Sequence, residues 1–204
     1  MPTGWRWDPG VPGYVTPDGR RQPLALLRPA ADMRAEESRA RLQRLAGELI
    51  GRQLSVGAFE AAVRDEIRML HIELRLMAIG GREHATPRDW GRVGAALRDE
   101  YGYLRSMCAR IRRGELSEAR IRSRTVQYAG ANALEEFENG RMLAMRGAGC
   151  AEKRRVLRPA AHCPTCVEEA EQGWVPIDQP GWIVGDGECG PACRCTMEYR
   201  GKEG

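Results

Sequence analysis

Two long stretches of helix-periodic apolar residues place the strongest constraint on the fold of this 204-residue chain. Apolar side chains recur at spacings of 4, 4, 3, 4 and 3 from Phe59 to Met77, and of 3, 4, 4, 3, 4 and 3 from Trp90 to Ile111. These spacings place the apolar residues on one face of an α-helix. Each helix would span roughly 25 residues, or about 37 Å. Two such helices joined by a short loop predict antiparallel packing in a helical bundle.

The residues that flank these stripes are of the types expected at helix ends. Ser55 is placed to cap the first helix, and the Gly-Gly pair at 80–81 is placed to end it. The Thr-Pro pair at 86–87 supplies a cap and a first-turn proline for the second helix, which should end at Gly114. The sequence therefore predicts where both helices begin and end.

Two further segments are predicted to be helical. The first runs from about Ala30 to Gln53, and the second begins at Ser117 and reaches about Arg146. Glycines at 130 and 140 interrupt the second segment. Because glycine inside a helix costs about 1 kcal/mol relative to alanine, we expect a bend or a close helix crossing there. The predicted fold class is mainly α, with a bundle of about four long helices over residues 30–147.

Residues 1–29 are rich in aromatic residues, proline and glycine and are predicted to form an extended N-terminal arm. Pro-Gly at 9–10 and Pro-Asp-Gly at 17–19 are turn signals, so the short pieces between them could pair as a hairpin. Trp5, Trp7 and Tyr14 each need a surface to cover them. Two interpretations remain open: the arm folds back on its own body, or it docks on a neighbouring subunit.

Residues 148–204 are predicted to form a small module built around cysteines, with short strands from Lys153 to Arg158 and over 196–200. Five of the seven cysteines fall within 33 residues. A Cys-x-x-Cys pair followed by a distant second cluster is typical of a structural metal site. Zinc, disulfides and reduced thiols all remain possible, although an odd number of cysteines disfavours a complete disulfide framework.

The candidate ligands of a zinc ion fall into two halves. Cys163 and Cys166 form the first half, and two of Cys189, Cys193 and Cys195 would form the second. The sequence does not choose between these three. His162 is a weaker candidate, because the side chain of a histidine next to a ligand cysteine can be directed away from the metal. The other two cysteines, Cys108 on an apolar helical stripe and Cys150 after a helix end, are interpreted as packing residues.

The sequence offers no catalytic constellation. Four thiolates would close the coordination shell of a zinc ion and leave no position for a substrate. The glutamates that follow the Cys-x-x-Cys pair (Glu168, Glu169 and Glu171) are interpreted as a solvated helix face, and His71 as a residue at the boundary of the bundle. No His-x-Glu partner for a deaminase site, phosphate-binding glycine loop or nucleophile motif is present. We therefore expect the protein not to be an enzyme.

Composition and charge restrict the compartment and the partners. The charged fraction of 29%, with no apolar run of about 18 residues, argues against a membrane protein. The N-terminus lacks the apolar core of a signal peptide, so we expect a cytosolic chain whose thiols stay reduced. The net charge of +4 is mild for this size and gives little support to a dedicated nucleic-acid-binding domain.

Four segments of the C-terminal quarter occur in a characteristic order: Arg-Arg-Val-Leu at 154–157, His-Cys-Pro-Thr-Cys at 162–166, Gly-Trp-Val-Pro-Ile-Asp at 173–178 and Cys-Arg-Cys-Thr-Met at 193–197. This order resembles the C-terminal part of the phage head-morphogenesis proteins, the Mu F-like minor head family. The resemblance covers roughly residues 150–200. Members often have His-Pro before the closing Cys-Arg-Cys, where this chain has Cys189 and a Gly-Pro-Ala sequence.

The resemblance implies a structural or head-assembly protein of a phage or prophage, present in the virion and in the host cytoplasm during assembly. Its partners would be portal, capsid or connector subunits, with several copies or a homo-oligomer in the particle and packaged DNA nearby. A structural Zn²⁺ would stabilise its C-terminal module. The alternative function is that of a zinc-containing nucleic-acid-binding protein in DNA packaging or regulation.

Overall fold

The computed structural model describes residues 6–10, 12–181, 188–189, 193 and 195–201, with the side chains of 25, 26, 131 and 132 left aside. The described chain is mainly helical, which confirms the predicted fold class. Its α-helices are α1 (Arg28–Ile50), α2 (Val56–Ile79), α3 (Pro87–Arg112), α4 (Glu118–Gln127), α5 (Ala131–Gly147) and α6 (Pro164–Glu171). Its strands are β1 (Arg6–Asp8), β2 (Gly13–Val15), β3 (Arg21–Pro23), β4 (Glu152–Val156), β5 (Val175–Pro176) and β6 (Thr196–Arg200).

Helix α2 lies at the centre of the helical body and packs against α1, α3 and α5. It can do so because its apolar stripe is long and continuous. The predicted stripe residues Phe59, Val63, Ile67, Leu70 and Leu74 are fully buried. Ala46 of α1 and Leu104 of α3 belong to the same core, and Phe137 of α5 completes it. The periodicity therefore identified the helix around which the body is built.

The predicted caps of α2 and α3 are present. The hydroxyl of Ser55 accepts a hydrogen bond of 3.1 Å from the backbone N–H of Ala58. Gly80 ends α2 with a φ of 96°, a left-handed conformation that favours glycine. Thr86 and Asp89 form a capping box at the start of α3. Local sequence signals are sufficient at these ends because each cap involves residues within one helical turn.

The single helix predicted from Ser117 to about Arg146 is wrong, because the structure divides it into α4 and α5. Gly130 has an extended backbone between the two helices. The break lets each helix bury its apolar face on a different partner, α4 on α1 and α5 on α2. The close crossing expected at Gly140 is present: a Cβ atom there would lie 2.7 Å from the Cβ of Ala78 in α2.

The N-terminal arm folds back on the body in its described part. Strands β1, β2 and β3 form an antiparallel sheet in that order. The hydroxyl of Tyr14 lies 3.2 Å from the backbone carbonyl of Met77 and donates to it, and the Trp7 ring packs edge-on against Tyr14. A side chain at Gly80 would collide with the Trp7 indole, so the Gly-Gly turn also makes room for the arm. Trp5 lies outside the described residues.

The C-terminal module contains a second antiparallel sheet in the order β5-β4-β6. Strand β4 ends at Val156, two residues before the predicted end. Strand β6 contacts α5, where Nη1 of Arg141 donates to the hydroxyl of Thr196 over 3.3 Å. The sheet is thereby joined to the helical body. Within the described ranges, no helix is both long and apolar enough to cross a bilayer.

Candidate metal centre

Helix α6 and the start of β6 position the clustered cysteines. Cys163 is the N-cap residue of α6 with an extended backbone, and Pro164 is the first helical residue. Cys166 follows in the first turn, so that Cys-Pro-Thr-Cys folds its two sulfurs towards the same side. Cys193 and Cys195 precede β6 and carry the second half of the cluster against α6.

The five predicted ligand cysteines come together in the described structure. They form two groups, and within each group the sulfur atoms lie within 4.8 Å of one another. One group is Cys163, Cys166 and Cys189, and the other is Cys166, Cys193 and Cys195. Cys166 belongs to both groups. Its Sγ lies 3.4 Å from that of Cys189 and 3.9 Å from that of Cys193. None of the seven cysteines is joined in a disulfide in the described structure.

The separations fit metal coordination. Two thiolates bound to one tetrahedral zinc at about 2.3 Å lie about 3.8 Å apart. Cys166, Cys193 and Cys195 are fully or almost fully buried, whereas Cys163 and Cys189 are half-buried. Together with Val175 and Met197, the three buried cysteines make up the small core of the module in its described part. This cluster of buried cysteines could hold a metal ion such as zinc.

A buried arginine of the central strand faces the sulfurs. Nη1 of Arg155 lies 3.7 Å from the Sγ atoms of both Cys166 and Cys193. Its Nε donates a 2.5 Å hydrogen bond to Glu169 of α6. Burial lowers the pKa of Arg155, but Glu169 and Cys166 outweigh burial, so the pKa is raised and the guanidinium stays charged. A cation in this position favours negative charge on the sulfurs.

The position of Glu169 corrects its interpretation as part of a solvated face. Only Glu168 and Glu171 of that trio are exposed, while Glu169 is 9% exposed and bound to Arg155. The sequence did not reveal the pair, because its partners are 14 residues apart and belong to different elements. The sequence feature that could have indicated a buried Arg155 is the alternation of side chains along β4, because Lys153 and Arg155 lie on the same, buried side of the strand.

His162 faces the cluster. Its Nδ1 lies 3.5 Å from the Sγ of Cys195, and its Nε2 lies 2.6 Å from the backbone carbonyl of Arg158. A carbonyl only accepts hydrogen bonds, so Nε2 donates to it, and the tautomer with the proton on Nε2 has a lone pair on Nδ1 directed towards Cys195. In histidines that bind a metal through one ring nitrogen, the other ring nitrogen usually donates a hydrogen bond to a carbonyl or carboxylate, as Nε2 does here.

The thiols of the cluster differ in acidity when no ion is present. Burial raises the pKa of Cys189 to about 11 and also raises the pKa values of Cys166 and Cys195. Hydrogen bonding, chiefly from the backbone of Cys166, lowers the pKa of Cys163 to about 7. Binding of a metal would therefore release protons from the buried sulfurs.

The remaining candidate residues lie in the helical body. Cys108 is fully buried in its apolar core, as predicted, and Cys150 is half-buried after α5. The interpretation of His71 as a boundary residue is wrong: it is fully buried in α2, and its Nε2 lies 3.3 Å from Oε1 of Glu100 in α3. The difference arises because α3 covers the face of α2 beside its main stripe.

The donor set of the cluster is chemically suited to a closed metal site. Five thiol groups and one imidazole exceed the four ligands that a structural zinc ion takes, and thiolate-rich shells suit structural zinc. Arg155 and Glu169 supply the supporting contacts that usually orient such ligands. Comparisons with models of known protein families, with curated proteins and with solved structures find no match for this chain.

Proposed function

We propose that this chain is a phage or prophage structural protein that acts in head assembly through protein–protein contacts, with a structural zinc ion in its C-terminal module. The observation that carries the proposal is the convergence of the four resemblance-bearing segments on one module. Segment 154–157 supplies most of β4, and the Cys-x-x-Cys segment opens α6. The Val-Pro pair at 175–176 forms β5, and the closing segment leads into β6.

The proposed role of zinc follows from the small size of the module's core. In the described part of the module, five buried residues form it, and three of them are cysteines. So few apolar side chains do not stabilise a fold of about fifty residues, and small modules of this kind commonly depend on disulfides or metals. A zinc ion bound to the cluster would link α6 to β6 and close the module.

The proposed mode of action is contact between proteins and not catalysis. The partners would be portal, capsid or connector subunits, and the protein would occur in several copies in the particle. Four thiolates around a zinc ion leave no coordination position for a substrate. The module is joined to a helical body through the contacts of β6 with α5, so that the zinc would fix the shape presented to those partners.

The head-assembly role is tested in the phage or prophage that encodes the chain. Purified particles should contain the protein in a small number of copies relative to the major capsid protein, as measured by quantitative mass spectrometry. Deletion of its gene should leave few DNA-filled heads by electron microscopy. Particles that assemble, fill and infect normally without the protein would contradict the proposal.

The alternative nucleic-acid role is less well supported by the described side chains. Many arginines that could contact phosphates are already paired with carboxylates, including Arg34 with Glu66, Arg92 with Glu135 and Arg112 with Glu60. If DNA binding is the function, the affinity should fall steeply with salt, in proportion to the number of phosphates contacted. Absence of binding at low salt would exclude this alternative.

The zinc itself is tested by elemental analysis of the full chain purified under reducing conditions without added metal. We expect zinc in at least stoichiometric amount. Cys166→Ser should reduce it strongly, because Cys166 belongs to both groups of sulfurs. Cys150→Ser is the matched control, since Cys150 lies near the module but in neither group. Metal-free wild-type protein with intact thiols would refute the zinc role.

A further inference from the structure

The cysteine cluster has more donor atoms than one zinc ion can use. A structural zinc takes four ligands, whereas five sulfurs lie together here, and Nδ1 of His162 contacts one of them, that of Cys195. The described sulfurs form two groups of three that share Cys166, and they do not form one group of four.

The group of Cys166, Cys193 and Cys195 has His162 beside one of its three sulfurs. We call Cys166, Cys193 and Cys195 the inner position, because its three sulfurs are buried. Zinc–ligand bonds of about 2.3 Å to sulfur and about 2.05 Å to nitrogen place the two ligand atoms about 3.5 Å apart. Nδ1 of His162 lies 3.5 Å from the Sγ of Cys195, and the Sγ atoms of Cys166 and Cys193 are 3.9 Å apart. The inner position thus consists of three buried thiols, with His162 at the spacing of a zinc ligand from one of them, Cys195.

The second group forms an outer position from Cys163, Cys166 and Cys189. The Sγ atoms of Cys166 and Cys189 are 3.4 Å apart, close to the spacing of two thiolates on one ion. Cys163 and Cys189 are only half-buried, so this group lies towards solvent. Three thiolates leave one coordination position for water, and their negative charge lowers the Lewis acidity that catalysis would need. We expect an ion here to exchange faster than one at the inner position.

We infer that the module binds two zinc ions that share the thiolate of Cys166, one at the inner position and one at the outer position. Two divalent ions and five thiolates leave a net charge of about −1, whereas one ion and four thiolates leave about −2. The guanidinium of Arg155 contacts the Sγ atoms of Cys166 and Cys193 at 3.7 Å and offsets this charge. The two-ion cluster therefore uses all five thiolates and buries less net charge.

This inference rests on the proposed zinc role, and counting bound ions separates the two. The reduced full chain is saturated with Zn²⁺, exchanged into volatile buffer and measured by native mass spectrometry. We expect two ions in the wild type and in the Cys150→Ser control. A single ion in the saturated wild type would overturn the two-ion inference and leave the zinc role intact. No ion at all would overturn both.

Two measurements locate the second ion. The double variant Cys163→Ser with Cys189→Ser should bind one ion, because the inner position keeps all three of its thiols. Retention of two ions in this variant would overturn the outer position. Competition with a chelator gives an independent measurement on the wild type: one ion should leave before the other, at a chelator concentration at least tenfold lower. Loss of both ions in one step would contradict two unequal positions.

Discussion

The helical body and the cysteine module fill their interiors with different chemistry. The body buries a continuous set of aliphatic and aromatic side chains from the arm and five helices, whereas the hydrophobic core of the described module consists of five residues, of which three are cysteines. Burial of apolar surface contributes about 25 cal/mol per Å², so a large apolar core stabilises itself and a small one does not. We therefore expect the body to fold without an ion and the module to need one.

Buried charges differ between the two regions in the same way. In the body, Arg28 is paired with Glu138 over 2.8 Å, and Arg75 with Asp89, between different segments of the chain. In the module, the guanidinium of Arg155 contacts the carboxylate of Glu169 and the sulfurs of Cys166 and Cys193. The buried arginines of the body are neutralised by carboxylates, whereas the net charge around Arg155 in the module also depends on whether its thiols are protonated.

The largest expected effect is the loss of the module on removal of metal. Structural zinc contributes about 10–16 kcal/mol of binding free energy in zinc-finger peptides. A strong chelator, or Cys166→Ser, should therefore release residues 148–201 to hydrogen exchange and proteolysis while the helical circular dichroism signal stays nearly unchanged. Cys150→Ser should behave like wild type. If chelation reduced the helical circular dichroism signal as much as it reduced the protection of the module, the body would depend on the metal as the module does.

The next effect should be confined to the body. Phe59 of α2 is completely buried, and Phe→Ala substitutions at such sites cost about 3–5 kcal/mol. We expect Phe59→Ala to lower the free energy of unfolding of the body by this amount, as measured by urea denaturation. The zinc content at low denaturant should not change. Loss of zinc in this variant would show that the module depends on the body more than its separate core implies.

A smaller effect is expected at the crossing of α2 and α5. A Cβ atom at Gly140 would lie 2.7 Å from the Cβ of Ala78, and overpacking of this kind costs about 1–3 kcal/mol. Gly140→Ala should therefore destabilise the body despite the higher helix propensity of alanine, and Ala78→Gly in the same chain should relieve the clash.

The matched control for the crossing is Gly94, an exposed glycine within α3 at which an added Cβ atom would have no packing neighbour within 4 Å. Gly94→Ala should stabilise the body by up to about 1 kcal/mol, because only helix propensity changes there. Thermal denaturation of both variants gives the comparison. If the melting temperatures of Gly140→Ala and Gly94→Ala shifted equally and in the same direction, the crossing of α2 and α5 would not be tightly packed.

The smallest effect is the response of the body to acid through Asp89. Burial raises the pKa of Asp89, but hydrogen bonds from Thr86 and Arg75 outweigh burial and lower it below its ordinary value of 3.8. The stability contributed by this carboxylate is therefore present above pH 3.8 and is lost as the pH falls through the lower folded-state pKa. Urea midpoints at about pH 7 and about pH 3 should differ less in Asp89→Asn than in wild type, because the variant lacks this titrating group.

The sequence predicted well those features that depend on neighbouring residues. The apolar stripes and caps of α2 and α3 are local, because a helix is periodic and its caps lie within one turn. The cysteine spacing likewise indicated that Cys163 and Cys166 would come together. The sequence did not predict the division of residues 117–146, because the separate partners of α4 and α5 set that break.

The sequence alone determined the mainly helical fold, the ends of its longest helices and the presence of a cysteine-based C-terminal module. The tertiary structure decided which groups surround the sulfurs. Arg155 is 38 residues from Cys193, and His162 is 33 residues from Cys195, yet each pair is in contact. Such pairs depend on how a strand, a helix and a loop pack together, and no local periodicity or cap encodes that packing.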